Sequence, residues 1–144
     1  MPAIRFFREN INFRLKNSLK VQEWILGVAK KEKHTVQNLH YIFCTDQALL
    51  ERNIQFLKHN TFTDIITFDL SEKETSIIGE IYISVDRIKE NALKFEQTQE
   101  QELHRVMIHG VLHLCGYGDK TKTEKEEMRR LENHYLKKRN WLGL

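Results

Sequence analysis

The segment HGVLHLCGYGD, residues 109–119, carries the side chains best suited to chemistry. His109 and His113 stand four positions apart, so on a helix both imidazoles share one face with a rise of about 6 Å between them. Two rings so placed can grip one metal ion, each nitrogen at about 2.0–2.1 Å. Gly116 and Gly118 loosen the chain after the histidines and let Asp119 swing back as a third ligand. Three protein ligands with a fourth position left to water describe a catalytic zinc site rather than a closed structural one. The expectation is one Zn2+ per chain. Another divalent metal is the alternative, because a carboxylate also suits harder ions.

Other groups compete for the third place. Cys115, His104 and His134 are the alternatives to Asp119. Cys115 follows His113 by two residues and reads better as an apolar filler. Two histidines on an apolar helix can also be core residues with satisfied ring nitrogens, and the glycines and the carboxylate tip the balance toward metal. Gly110 excludes one chemistry. In zinc proteases of the H-E-x-x-H type that position holds the glutamate base, so a peptidase of that kind lacks its base here.

The ligand segment needs a rigid carrier. Residues 98–115 predict a helix with Leu103, Val106, Met107, Val111 and Leu114 on one stripe, widened by Ile108 and Leu112. Gly116 is placed to end it in a left-handed cap. Upstream, Ile4 and Phe6 predict a first strand. Asn17 or Ser18 opens a helix through Leu19, Val21, Trp24, Ile25 and Val28. Leu39 to Phe43 predicts a second strand, and Asp46 caps a helix bearing Leu49, Leu50 and Ile54. TDIITF (63–68) and IIGEIYISV (77–85) read as strands paired antiparallel across a polar turn. A helix over 86–96 carries Ile88, Ala92, Leu93 and Phe95. The last helix starts at a capping box, Thr123 with Glu126, and carries Met128, Leu131 and Leu136. The order β-α-β-α-β-β-α-α-α predicts an α+β fold, with a mixed four-stranded sheet, a central metal-binding helix and additional packing helices.

Composition supports one folded unit over residues 1–144. Hydrophobic residues make up 40% and charged residues 30%, which excludes wholesale disorder. With 23 basic and 20 acidic side chains the chain is mildly basic, compatible with RNA without demanding it. Two cysteines are too few for a disulfide framework. No apolar run approaches the roughly 20 residues of a membrane span. The short start PAIRFF, running into REN, predicts no secretory leader. A reduced, cytoplasmic protein is expected.

The HGVLHLCGYGD segment resembles the metal motif H-G-x-L-H-L-x-G-Y-D-H of the YbeY family, bacterial endoribonucleases and rRNA maturation factors. TDIITF, GEIYIS and the run Glu126-Glu127-Met128 extend the resemblance over nearly the whole chain. His109 and His113 match the first two zinc ligands. Asp119 stands where a third histidine is usual, and Gly118 where an aspartate is usual. The arginine that serves RNA cleavage in the family is matched by Leu57, with Lys58 or His59 as substitutes for its phosphate contact. The resemblance implies a zinc-dependent single-strand endoribonuclease that matures the 3′ end of small-subunit ribosomal RNA and acts in ribosome quality control. Its partners would be ribosomal RNA and the small ribosomal subunit, with no DNA and no membrane.

Asp64 and Glu80, each on a strand beside a family-like motif, are the candidate general acid and base. Lys58, His59, Arg87 and Lys94 are candidates for an RNA-facing rim. Phe56, Phe68 and Tyr82 are candidates for base stacking, and Tyr117 for a pocket wall. Two rival readings remain: a non-catalytic ribosome-assembly or RNA-binding factor with a structural metal, and a metallohydrolase acting on another substrate.

Overall fold

The computed structural model describes residues 3–58 and 63–142. Four strands build one sheet: β1 (Ile4–Arg8), β2 (Thr35–Cys44), β3 (Ile65–Asp69) and β4 (Ser76–Ser84). The order across the sheet is β1-β2-β4-β3. β1 runs parallel to β2 and β2 parallel to β4, while β3 closes one edge antiparallel to β4. The helices are α1 (Ser18–Lys31), α2 (Asp46–Arg52), α3 (Val85–Lys94), α4 (Gln99–Leu114) and α5 (Lys122–Leu136). A π-helical turn, Asn53–Leu57, extends α2, and a 3-10 turn, Asn140–Leu142, follows α5. The element order and the mixed α+β sheet are those expected from the sequence.

Helix α4 is the centre of the fold. Met107, Ile108, Val111 and Leu112 are fully buried in one cluster with Ile77, Ile81 and Ile83 of β4, Leu39 and Tyr41 of β2, and Val21 and Ile25 of α1. The Tyr41 hydroxyl donates to the Met107 carbonyl at 2.9 Å, pinning helix to sheet. Gly110 explains how close the two come. A Cβ there would meet Ile81 Cδ1 at 2.8 Å and Ile65 Cδ1 at 3.1 Å. The helix keeps a poor helix former here because a Cβ would force Ile81, Ile65 or α4 itself to move. A smaller cluster, Cys44, Leu49 and Ile66, lies under α2 on the other sheet face.

Several boundaries differ from expectation for local reasons. β2 begins at Thr35 rather than Leu39, because Thr35–Asn38 pairs with β4 through a register shift that breaks the apolar alternation. Thr45, not Asp46, caps α2 by accepting from the Ala48 N–H at 3.1 Å. Asp46 is instead drawn to Arg87, at 3.0 Å. The capping box of α5 is Thr121 with Glu124, two residues earlier than the expected Thr123 with Glu126. Both pairs satisfy the spacing, and Glu124 also collects the Lys120 and Thr121 N–H groups. Leu19 stands off the α1 stripe, 72% exposed. Cys44 and Cys115 are free thiols, each pushed up to about 12 chiefly by burial. Among the described residues no helix is long and apolar enough to cross a membrane.

Candidate metal centre

His109 and His113 occupy the last two turns of α4, on the rim of the face that packs against the sheet. Gly116 then takes φ +105°, a left-handed conformation that ends the helix, and the chain doubles back. This reversal carries Asp119 to the histidines. Asp119 Oδ2 lies 3.2 Å from His109 Nε2 and 3.3 Å from His113 Nε2, and the two Nε2 atoms are 2.9 Å apart. Among the described residues this is the one group of three histidine, cysteine or acidic side chains close enough to share an ion.

The outer nitrogens decide what the inner ones can do. His113 Nδ1 lies 2.8 Å from the Tyr117 carbonyl, which can only accept, so the proton sits on Nδ1. His109 Nδ1 lies 2.7 Å from Glu132 Oε2 and donates in the same way. In the neutral rings both Nε2 atoms therefore present lone pairs, and they converge with a carboxylate oxygen. Three acceptors this close repel one another unless a cation joins them. Bonds of about 2.0–2.1 Å to a four-coordinate ion would hold ligand atoms about 3.3 Å apart, close to the separations here. The residues present thus fit a divalent metal.

The carboxylates around His109 favour positive charge at this place. Burial opposes a charged His109, yet the hydrogen bond and charge of Glu132, with Asp119 and Asp64 behind, raise its pKa. Glu132 is also penalised by burial, but His109 and Arg105 hold it below the usual carboxylate range. Arg105 Nη1 donates to its second oxygen at 2.9 Å.

The triad opens into a cavity of about 460 Å³, lined by His109, Asp119, Glu132, Arg105, Asp64 and Glu102, with the end of α3 beyond them. Burial is the main cause of a raised pKa at Asp64, and at Glu102, where Asp64 adds to it. The structure brings Asp64 into the cavity of the triad and leaves Glu80 outside it. On β4, Gly79, Ile81 and Ile83 are buried toward α4, so Glu80 and Tyr82 lie on the other sheet face. Of the rival ligands, His104 is buried beside Trp24 and accepts from Arg139. His134 packs on Tyr135, and Cys115 is half-buried outside the triad.

The suggested rim is dispersed. Arg87 is tied to Asp46, and Lys94 stands 5.6 Å over the Phe95 ring. Lys58 ends the π-helical turn in a left-handed conformation, Leu57 is 44% exposed, and His59 lies outside the described residues. Phe56, Phe68 and Tyr82 stack edge to face beside the smaller apolar cluster. Tyr117 buttresses rather than lines the site. Its hydroxyl donates to Glu32 Oε1 at 2.6 Å while its carbonyl holds His113.

Sequence reasoning missed Glu132, Arg105, Glu102 and Glu32. For Glu132 a signal existed. Met128, Leu131, Tyr135 and Leu136 are buried on α5, and Glu132 falls inside that stripe. A carboxylate at a core position requires a partner.

Known proteins are similar to this chain over most of its length. The family model described as Endoribonuclease YbeY matches residues 4–140. An endoribonuclease YbeY from Cytophaga hutchinsonii is 48% identical, covering 96% of this chain and 97% of that protein. One from Amoebophilus asiaticus is 46% identical, covering 92% and 90%. The solution structure of a Thermotoga maritima protein is similar at a TM-score of 0.64 and 30% identity, over 97% of this chain and 92% of that one.

Proposed function

The chain belongs to the YbeY endoribonuclease family, and from that premise we propose that it is a metal-dependent hydrolase cleaving single-stranded RNA at the cavity beside His109, His113 and Asp119. The observation that carries this reading is the convergence of two histidine lone pairs and one carboxylate oxygen within 2.9–3.3 Å. The preferred ion is zinc, one per chain, because two imidazoles and a carboxylate at tetrahedral spacing suit it. A harder divalent metal is the alternative. An ion held there would supply Lewis acidity and bring the pKa of water toward 7.

The protein's own groups do the rest. Glu132 and the Tyr117 carbonyl fix both rings with Nε2 free to hold an ion, and Arg105 fixes Glu132. Hydrolysis adds water to phosphorus and expels a ribose oxygen, so one proton must leave the water and one must reach the leaving oxygen. In this reading Asp64 Oδ takes up the proton from water and passes it to the leaving oxygen, a role supported by its lining the cavity with His109 and Asp119. The substrate we favour is ribosomal RNA, at the 3′ end of the small-subunit RNA, which sets the work at the small ribosomal subunit in the cytoplasm. Residues 1–144 then act as one metallohydrolase unit.

One observation favours a second reading. Leu57, where the resemblance implies an arginine, is an exposed apolar residue. Loss of that cation suits a ribosome-assembly factor that binds RNA around a structural metal. The experiment is cleavage of a single-stranded ribosomal RNA fragment by metal-loaded protein, beside His113→Ala. Cleavage by the wild type, lost in the variant with RNA binding kept, supports the nuclease. Binding without cleavage by the loaded wild type selects the assembly factor.

A further inference from the structure

The far wall of the metal cavity is built by the C-terminal end of α3, and three of its features run against what local sequence physics favours. First, the helix ends in a Schellman arrangement: Gln97 N–H donates to the Ala92 carbonyl at 2.9 Å and Glu96 N–H to Leu93 at 3.3 Å. The residue that must turn left-handed is Glu96, at φ 55°, where glycine would be unstrained. Second, the position after it, usually apolar in such a turn so as to pack back on the helix, is Gln97, which lines the cavity. Third, Phe95 is 52% exposed and lines the same cavity, with the Lys94 ammonium over its ring. A fixed turn that presents an aromatic ring and an amide to a cavity is a feature of a binding wall.

Three of the polar groups around it lack hydrogen-bond partners among the described residues. The side-chain amides of Asn91 and Gln97 make no hydrogen bond among the described residues, and both line the cavity. Arg129 of α5 also lines the cavity. It makes no hydrogen bond or ion pair among the described residues, and its charge acts on Glu102 across the cavity. Arg105, by contrast, is held by Glu132 and Asn133. The cavity lining therefore combines an uncommitted cation, an aromatic ring and two amides that can each donate and accept.

Resting on the RNA reading above, we propose that this wall is a nucleotide subsite: it takes the base of one unpaired nucleotide adjoining the phosphate at the triad. Phe95 stacks on the base, Asn91 and Gln97 bond its Watson–Crick edge, and Arg129 neutralises a flanking phosphate. A base held in a helix could not reach it, because both its stacking face and its pairing edge are used. Selection of single strands is then a property of this wall, separate from the ion.

The test uses full-length, metal-loaded protein and a short single-stranded RNA with phosphorothioate linkages, carrying 2-aminopurine at successive positions. Stacking on Phe95 quenches the probe at one position. Phe95→Ala abolishes that quench and weakens binding, read by anisotropy, about tenfold, while metal content is unchanged. Phe95→Trp restores both. Arg129→Ala lowers the slope of log affinity against log salt by about 0.7. Quench and affinity unchanged in Phe95→Ala, with RNA still bound, overturns the subsite and leaves the nuclease reading standing. No RNA binding by the loaded wild type overturns both.

Discussion

His109 Nδ1 and Glu132 Oε2 lie 2.7 Å apart, and this bond ties the ligand helix α4 to α5. It sets which nitrogen of His109 faces the ion position. It also gives a carboxylate in the apolar stripe of α5 its reason to be there, since Arg105 takes the other oxygen. Glu132 of α5 is thus coupled to the candidate ligand His109.

Glu132→Ala should weaken zinc binding by about 10–100-fold, because His109 loses the acceptor that fixes its tautomer. Competition against a chelator of known affinity measures this. Affinity within twofold of wild type would show that the α4 backbone alone positions His109.

The sequence was most legible where one helix carries the information. His109, Gly110, His113 and Gly116 are read at fixed offsets on α4, so the ligand pair and the helix end follow from spacing alone. Asp119 needs the φ of Gly116 to reach them, and two glycines made that turn readable. What stayed hidden depends on packing between distant elements. Arg105 matters only because α5 lies beside α4, and Glu32 only because Tyr117 and Tyr135 both reach it from elsewhere in the chain. Glu80 shows the opposite error. Its neighbourhood in sequence suggested the site, but the alternation of β4 sends it to the other face.

Gly110→Ala should destabilise the fold by about 1–3 kcal/mol despite alanine's better helix propensity, because overpacking against the sheet outweighs it. The added methyl would press on Ile81 at two atoms, 2.8 and 3.2 Å away, and Ile81 is fully buried. Urea unfolding of the metal-free proteins checks this, and an equal or higher midpoint would mean that Ile81 repacks freely.

His104 predicts the acid limb of stability. Burial first, and Arg139 second, lower its pKa from 6.5 to about 4. The groups facing it are Arg139, whose Nη1 donates to its Nδ1 at 2.8 Å, and the rings of Trp24 and Trp141. The unfolded chain takes up this proton at higher pH than the folded one. The contribution is therefore complete above about pH 6.5 and is lost as pH falls to about 4, roughly 3 kcal/mol in all. In His104→Gln, which keeps an acceptor for Arg139, the fall in unfolding free energy between those pH values should be shallower by a comparable amount. An unchanged slope would assign the acid limb to other groups.

In the proposed metal centre Asp119 is the one oxygen donor beside two imidazoles, and its side chain is partly open to solvent. Asp119→Ala should cut bound zinc well below one per chain, since two ligands leave the ion weakly held. Asp119→His is the sharper variant. It replaces the carboxylate with a third imidazole, which favours zinc over manganese because softer nitrogen donors suit zinc better than a hard ion. The ratio of zinc to manganese affinity should rise by about tenfold or more. Chelator competition for zinc and the paramagnetic signal of free manganese give the two affinities on the same protein. A ratio that does not move, with both variants folded, would remove Asp119 from the ligand set and return the third position to water.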